Sequence, residues 1–131
     1  MEQQTGKSRM ARLLKSFEYA GRGLLEMIRS QMNARIELFI LTVVMIAGFV
    51  FKIRVNEWIT IILVSGLVLA AEAFNSAIEN LANAISLRQF DSKIKKIKDL
   101  AASGVLISAV CAFVIGLIIF IPYIVRFFVS L

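Results

Sequence analysis

Between Leu100 and Val125 the chain runs twenty-six residues without a charge. Coiled as a helix, this stretch is about 39 Å long, more than the roughly 30 Å hydrocarbon layer of a bilayer. A helix apolar all round has to be sheathed in protein or in lipid. A chain of 131 residues is too short to wrap such a helix several times over, so lipid is the expected surround. Composition agrees, with 59% hydrophobic residues against roughly 45–50% apolar in soluble domains. One membrane-embedded domain over 1–131 is expected. Charges scattered through the first forty residues, with no short apolar stretch before a small-residue cleavage site, argue against a signal peptide. Cys111 stands alone in an apolar run and is expected to act as a small buried hydrophobe. There is no histidine, so any metal must rest on oxygen ligands, which favours magnesium.

Periodicity divides the chain into an all-α arrangement of one surface helix and three spans. Over 8–30, Met10, Leu13, Leu14, Phe17, Leu24 and Ile28 share an arc of roughly 100°, opposite Arg12, Lys15, Glu18, Arg22, Glu26 and Arg29, as in an amphipathic helix lying on a bilayer. The first span is expected over 33–52. Its uncharged core, Leu38 to Phe51, rises only about 21 Å, so Arg35, Glu37 and Lys52 must snorkel or face other helices. The second is expected over 57–86 and the third over 94–128, with Pro122 near the outer end and Phe120, Tyr123, Phe127 and Phe128 as an interfacial belt. Gly104, Ser108, Ala112 and Gly116 recur every fourth residue, a small-residue stripe that lets helices approach closely.

Charge orients the bundle. Seven of the fifteen Lys/Arg lie in the first thirty-five residues and five between Arg88 and Lys98, against two at 52–56 and one near the C-terminus. Because positive residues stay inside, the N-terminal helix and an 86–98 loop are expected on the cytoplasmic face. The basic balance follows this rule. No soluble basic face with stacking aromatics offers itself to nucleic acid.

The segment "AEAFNSAIEN" (71–80) breaks the apolar pattern. On a helix Glu72, Asn75, Ser76, Glu79 and Asn83 fall on one stripe about 100° wide. Carboxylates in a membrane helix cost about 2.5–3.5 kcal/mol each or more, so they normally face a bundle interior or a hydrated cleft and mark a functional site. Asn75, Ser76 and Asn83 also have a plain structural use, hydrogen-bonding a neighbouring helix. Both glutamates are expected to point together into a wet crevice near the inner leaflet. Glu79, about 10.5 Å nearer the cytoplasmic end, suits an aqueous cation or nucleotide, and the deeper Glu72 suits proton exchange with a group in the bilayer. Lys98, where the last apolar run begins, can neutralise a phosphate, and Asp99 in a first helical turn is favoured by the helix dipole. No P-loop, dinucleotide fingerprint or HExxH helix is present.

Taken together, "EAFNSAIENLAN" (72–83), "IKDLAASGVLISA" (97–109), "GLIIFIP" (116–122), "SFEYAGRGL" (16–24) and "NARIEL" (33–38) resemble the prokaryotic diacylglycerol kinase family. These are small integral-membrane lipid kinases that include the undecaprenol kinases. The resemblance implies a homotrimer in the bacterial inner membrane, with active sites shared between neighbouring subunits. It also implies transfer of the ATP γ-phosphate to a lipid alcohol, diacylglycerol or undecaprenol, with Mg2+. It makes Glu72 the base for the lipid hydroxyl and Asn75 its polar neighbour, gives the metal to Glu79, and gives the nucleotide to Lys98 and Asp99. Arg12, Tyr19 and Arg35 match positions lining the family's site, and Ser76 and Asn83 stand as supporting residues. Gln31 occupies a position where the family usually has a metal-binding glutamate, Asn83 replaces a usual aspartate, and "SLRQFDSK" lacks a histidine often found there. Two other classes fit parts of the pattern: a catalytically impaired relative serving as a membrane scaffold or lipid binder, and a small transporter using the same glutamates. The uncharged outer halves of the spans give a transporter no path to the far side.

Overall fold

In lipid, backbone groups find partners only in one another, and the chain meets this requirement with helices. The computed structural model describes residues 4–86 and 91–130. They form α1 (Gln4–Ser30), α2 (Met32–Phe51), α3 (Val55–Ile85) and α4 (Ser92–Val129). The last three are long and apolar enough to cross a bilayer. Phe39, Phe49, Leu63, Phe74, Leu106, Phe113 and Ile118 are all exposed, a distribution suited to lipid or neighbouring chains rather than water.

A single extended residue, Gln31 (φ −103°, ψ 121°), separates α1 from α2, and its N–H donates to the Met27 carbonyl at 2.9 Å. Met27 and Ala34 are buried on either side of this joint. Along α1, Met10, Leu13, Leu14, Phe17 and Leu24 are exposed, and Glu18 pairs with Arg22.

At the other end of α2 the chain reverses within three residues. Lys52 is left-handed (φ 53°), the Ile53 N–H donates to the Gly48 carbonyl at 3.1 Å, and the Lys52 N–H donates to Phe49 at 3.3 Å. This is a Schellman stop, with lysine where glycine is usual. Gly48 is glycine for a packing reason: a Cβ there would sit 2.7 Å from Cη2 of Trp58. Glu57 then anchors the start of α3. Its carboxylate accepts from the Arg54 backbone N–H at 2.7 Å and from the Arg54 guanidinium at 3.0 Å. Tyr123 of α4 donates its hydroxyl to the same carboxylate at 2.6 Å. Close by, Ile53, Ile61 and Ile119 form a small core edged by Trp58, Phe120 and Tyr123.

Several expectations are corrected. α3 begins two residues before position 57, because Glu57 caps it from within the first turn. α4 begins at Ser92 because the Asp91 side chain accepts from the Lys93 N–H at 2.7 Å, so most of the basic 86–98 stretch is helix rather than loop. Residues 87–90, including Arg88 and part of the histidine-free stretch, lie outside the described residues. Cys111 is exposed rather than buried. Two members of the small-residue stripe make no tight contact among the described residues, since a Cβ on Gly104 or Gly116 would meet nothing within 4 Å. Ser108 of the same stripe is buried, and Ala112 and Gly116 line an apolar groove of about 370 Å³ among α2, α3 and α4. The aromatic residues of the expected belt pack partly inward, with Phe120, Tyr123 and Phe127 within 6.3–6.5 Å of the Phe51 ring.

Candidate functional site

Three elements meet at the end of the bundle where α1 joins α2. Gln31 and Asn33 come from the joint, Asn75 and Glu79 from α3, and Lys95, Lys98 and Asp99 from the first turns of α4. They line an open cleft of about 390 Å³, within the roughly 300–1,000 Å³ usual for small-molecule sites. Lys98 Nζ lies 4.0 Å from Oε1 of Glu79, both about one-third exposed. So loose and wet a pair is worth at most about 1 kcal/mol, which leaves either partner easily recruited by a ligand. Lys95 donates to Asp99 at 2.6 Å across one helical turn.

Two turns deeper the surroundings change. Glu72 is 0% exposed and neither carboxylate oxygen has a hydrogen bond. Oγ of Ser76 and Oε2 of Glu37 are likewise buried without partners. Glu37, on α2, stands close enough to Glu72 for their charges to interact, and it also lines the apolar groove. An ionised carboxylate sealed in this way costs several kcal/mol unless a donor reaches it, so the Glu37–Glu72 pair is poised for a polar group entering from the groove.

The wet crevice expected to hold both glutamates therefore contains only Glu79. Glu72 interacts electrostatically with Glu79 but is buried and does not line the cleft, and Glu37 of α2 stands near it. The structure brings together Gln31, Asn75, Glu79, Lys98 and Asp99. Arg12, Tyr19 and Arg35 do not line this cleft; Tyr19 is exposed on α1, and the Arg35 guanidinium donates to the Arg29 carbonyl at 3.2 Å. Asn83 is exposed beyond the cleft, where its carbonyl accepts from the Ser86 hydroxyl. Glu37 was marked from the sequence only as a charge that must snorkel or face other helices and was given no place in the site, although a carboxylate beside an uncharged span is a signal that could have found it. Lys95 was hidden among the positive-inside lysines.

Among the described residues, no three Asp, Glu, Cys or His side chains converge as a metal cage. Magnesium commonly binds through one or two carboxylates while keeping waters and substrate phosphates. Glu79, with the Gln31 and Asn75 amides beside it, fits a phosphate-shared ion of that kind.

A profile of the prokaryotic diacylglycerol kinase family matches residues 18–120. An undecaprenol kinase of Bacillus subtilis (strain 168) is 34% identical over 122 residues, covering 93% of this chain and 98% of the relative. A diacylglycerol kinase of Synechocystis sp. (strain ATCC 27184 / PCC 6803 / Kazusa) is 30% identical over 110 residues, covering 84% of this chain and 63% of the relative. No solved structure gives a significant match.

Proposed function

This chain belongs to the prokaryotic diacylglycerol kinase family, and on that premise we propose that it moves the γ-phosphate of ATP onto the hydroxyl of a membrane lipid alcohol. One observation carries the proposal. On a single helix, a sealed carboxylate beside an apolar groove lies about 10.5 Å from Glu79, the carboxylate of a polar cleft lined by lysines. The groove suits a lipid chain, the cleft suits a nucleotide, and the reaction joins molecules from those two environments.

In the proposed step the lipid hydroxyl oxygen attacks the γ-phosphorus, the bond to the β-phosphate oxygen breaks, and ADP leaves. Glu72 accepts the hydroxyl proton, and Glu37 orients the acceptor beside it. Lys98 and Lys95 meet the phosphates, while Asn75 bridges the two levels. Phosphoryl transfer asks mainly for positioning and charge stabilisation, and these residues supply both. Glu79, with the Gln31 and Asn75 amides, would hold Mg2+, which when bound neutralises charge on the phosphates. A homotrimer would let Arg12, Tyr19 and Arg35 serve a neighbour's cleft. Lysines at the cleft and the basic residues of α1 argue that this end faces the cytoplasm.

The test is transfer of labelled γ-phosphate from ATP in mixed micelles carrying undecaprenol or diacylglycerol. Undecaprenol is the first candidate, since the undecaprenol kinase relative aligns over nearly the whole chain. Label in neither lipid would overturn the proposal. It would favour a silent lipid-binding relative, a reading supported by Gln31 in the cleft and by the absence of a three-carboxylate cluster among the described residues.

Gln31→Glu adds a carboxylate to the cleft wall. It is expected to lower the magnesium concentration for half-maximal rate by several-fold, because a charged oxygen attracts the ion more strongly than an amide carbonyl. An unchanged magnesium titration would remove Gln31 from the metal's surroundings.

A further inference from the structure

The end of the bundle remote from Glu79 carries a second cleft, of about 540 Å³, that the kinase reaction does not use. Its polar wall is Arg54, Glu57, Tyr123 and Arg126, and its apolar wall includes Ile118 and Pro122. Along α3, Glu57 lies twenty-two residues from Glu79, about 33 Å, close to the roughly 30 Å of a bilayer's hydrocarbon core. With the kinase cleft at one membrane surface, this one falls at the other.

Its charges are unevenly satisfied. Glu57 is paired where it stands with Arg54 and accepts a hydrogen bond from the Tyr123 hydroxyl. Arg54 spends one guanidinium nitrogen on that carboxylate and remains 81% exposed. Arg126 is exposed, and its guanidinium has no hydrogen bond or ion pair among the described residues. The cleft therefore carries a net positive charge, with guanidinium donors spare from two directions. Guanidinium groups bind phosphate through paired N–H donors. The apolar wall runs from the arginines toward the bilayer core, where an acyl chain attached to that phosphate would lie. Free phosphate would have no use for Ile118 and Pro122.

We propose that the Arg54–Arg126 cleft binds the phosphate headgroup of an anionic membrane phospholipid in the leaflet opposite the kinase cleft. The site is independent of the proposed phosphoryl transfer.

Trp58, the single tryptophan, follows Glu57 directly and packs at the core that includes Ile119, so it reports on this end alone. The full chain is reconstituted in phosphatidylcholine vesicles containing increasing fractions of brominated phosphatidylglycerol or, separately, brominated phosphatidylcholine, and Trp58 quenching is followed. Brominated phosphatidylglycerol should quench at much lower mole fractions than brominated phosphatidylcholine. Arg126→Gln should weaken that preference about fivefold, the weight of one basic residue at a lipid surface, and Arg126→Lys should largely keep it. Lys96→Gln, which removes the same charge at the opposite end, should leave it unchanged. Equal quenching by the two lipids in the unaltered chain would overturn the proposal, as would an Arg126→Gln curve that overlays it or a Lys96→Gln curve that falls equally. Reversal of the preference by inorganic phosphate alone would assign the site to free phosphate and overturn the lipid.

Discussion

Glu72→Gln is expected to lower lipid phosphorylation by about 10²–10⁴-fold, the range over which a positioned base contributes. Glutamine keeps the shape but cannot take the hydroxyl proton. Because Glu72 does not line the Glu79–Lys98 cleft proposed for the nucleotide, the KM for ATP should change little, and the loss should appear in kcat. Thermal stability should move the other way or not at all. The wild-type carboxyl group is sealed without a hydrogen bond, so glutamine at this position gives up no partner. A rate loss without a stability loss separates a chemical role from a structural one. A variant within about tenfold of the wild-type rate would take the base away from Glu72.

The second large effect belongs to Glu79. Glu79→Gln removes the α3 carboxylate from the cleft and leaves Lys98 without its partner at 4.0 Å. Losing even an outer partner costs a metal site about ten- to a hundredfold in affinity, so the magnesium required for half-maximal rate should rise at least that far. Stability should hardly change, since the Glu79–Lys98 pair is wet and loose. Saturating magnesium should recover part of the rate for Glu79→Gln and none for Glu72→Gln. An identical magnesium response in the two variants would break the division of labour between the glutamates.

The helices and their order were legible because uncharged runs of this length have few alternatives, and each break between them carries its own polar signal. The glutamate stripe was legible for the same reason, as two charges where an apolar pattern leaves no room for accident. Burial was harder to read. Periodicity places Glu72 and Glu79 on one face, but only the packing of the helices seals Glu72 and leaves Glu79 open. Glu37 was marked only as a charge that must snorkel or face other helices, because nothing local to α2 places it beside Glu72. The bond between Tyr123 and Glu57 joins residues sixty-six positions apart and depends on how α4 leans on α3, which no local pattern encodes. Cys111 shows the converse, since its apolar run suggested burial and it is exposed.

The reversal at Lys52 fastens α2 to α3 with no slack, and Trp58 seated on Gly48 and Tyr123 bound to Glu57 clamp the same corner. Helices pinned at one tip behave like tongs: a tilt of about 3° at the pivot shifts the opposite tips, roughly 30 Å away, by about 1.6 Å. Those tips carry Gln31 and Glu79. Since misplacement of about 1 Å can cost a hundredfold in a transfer reaction, stiffness at the distant corner sets how accurately the jaws close on their cargo.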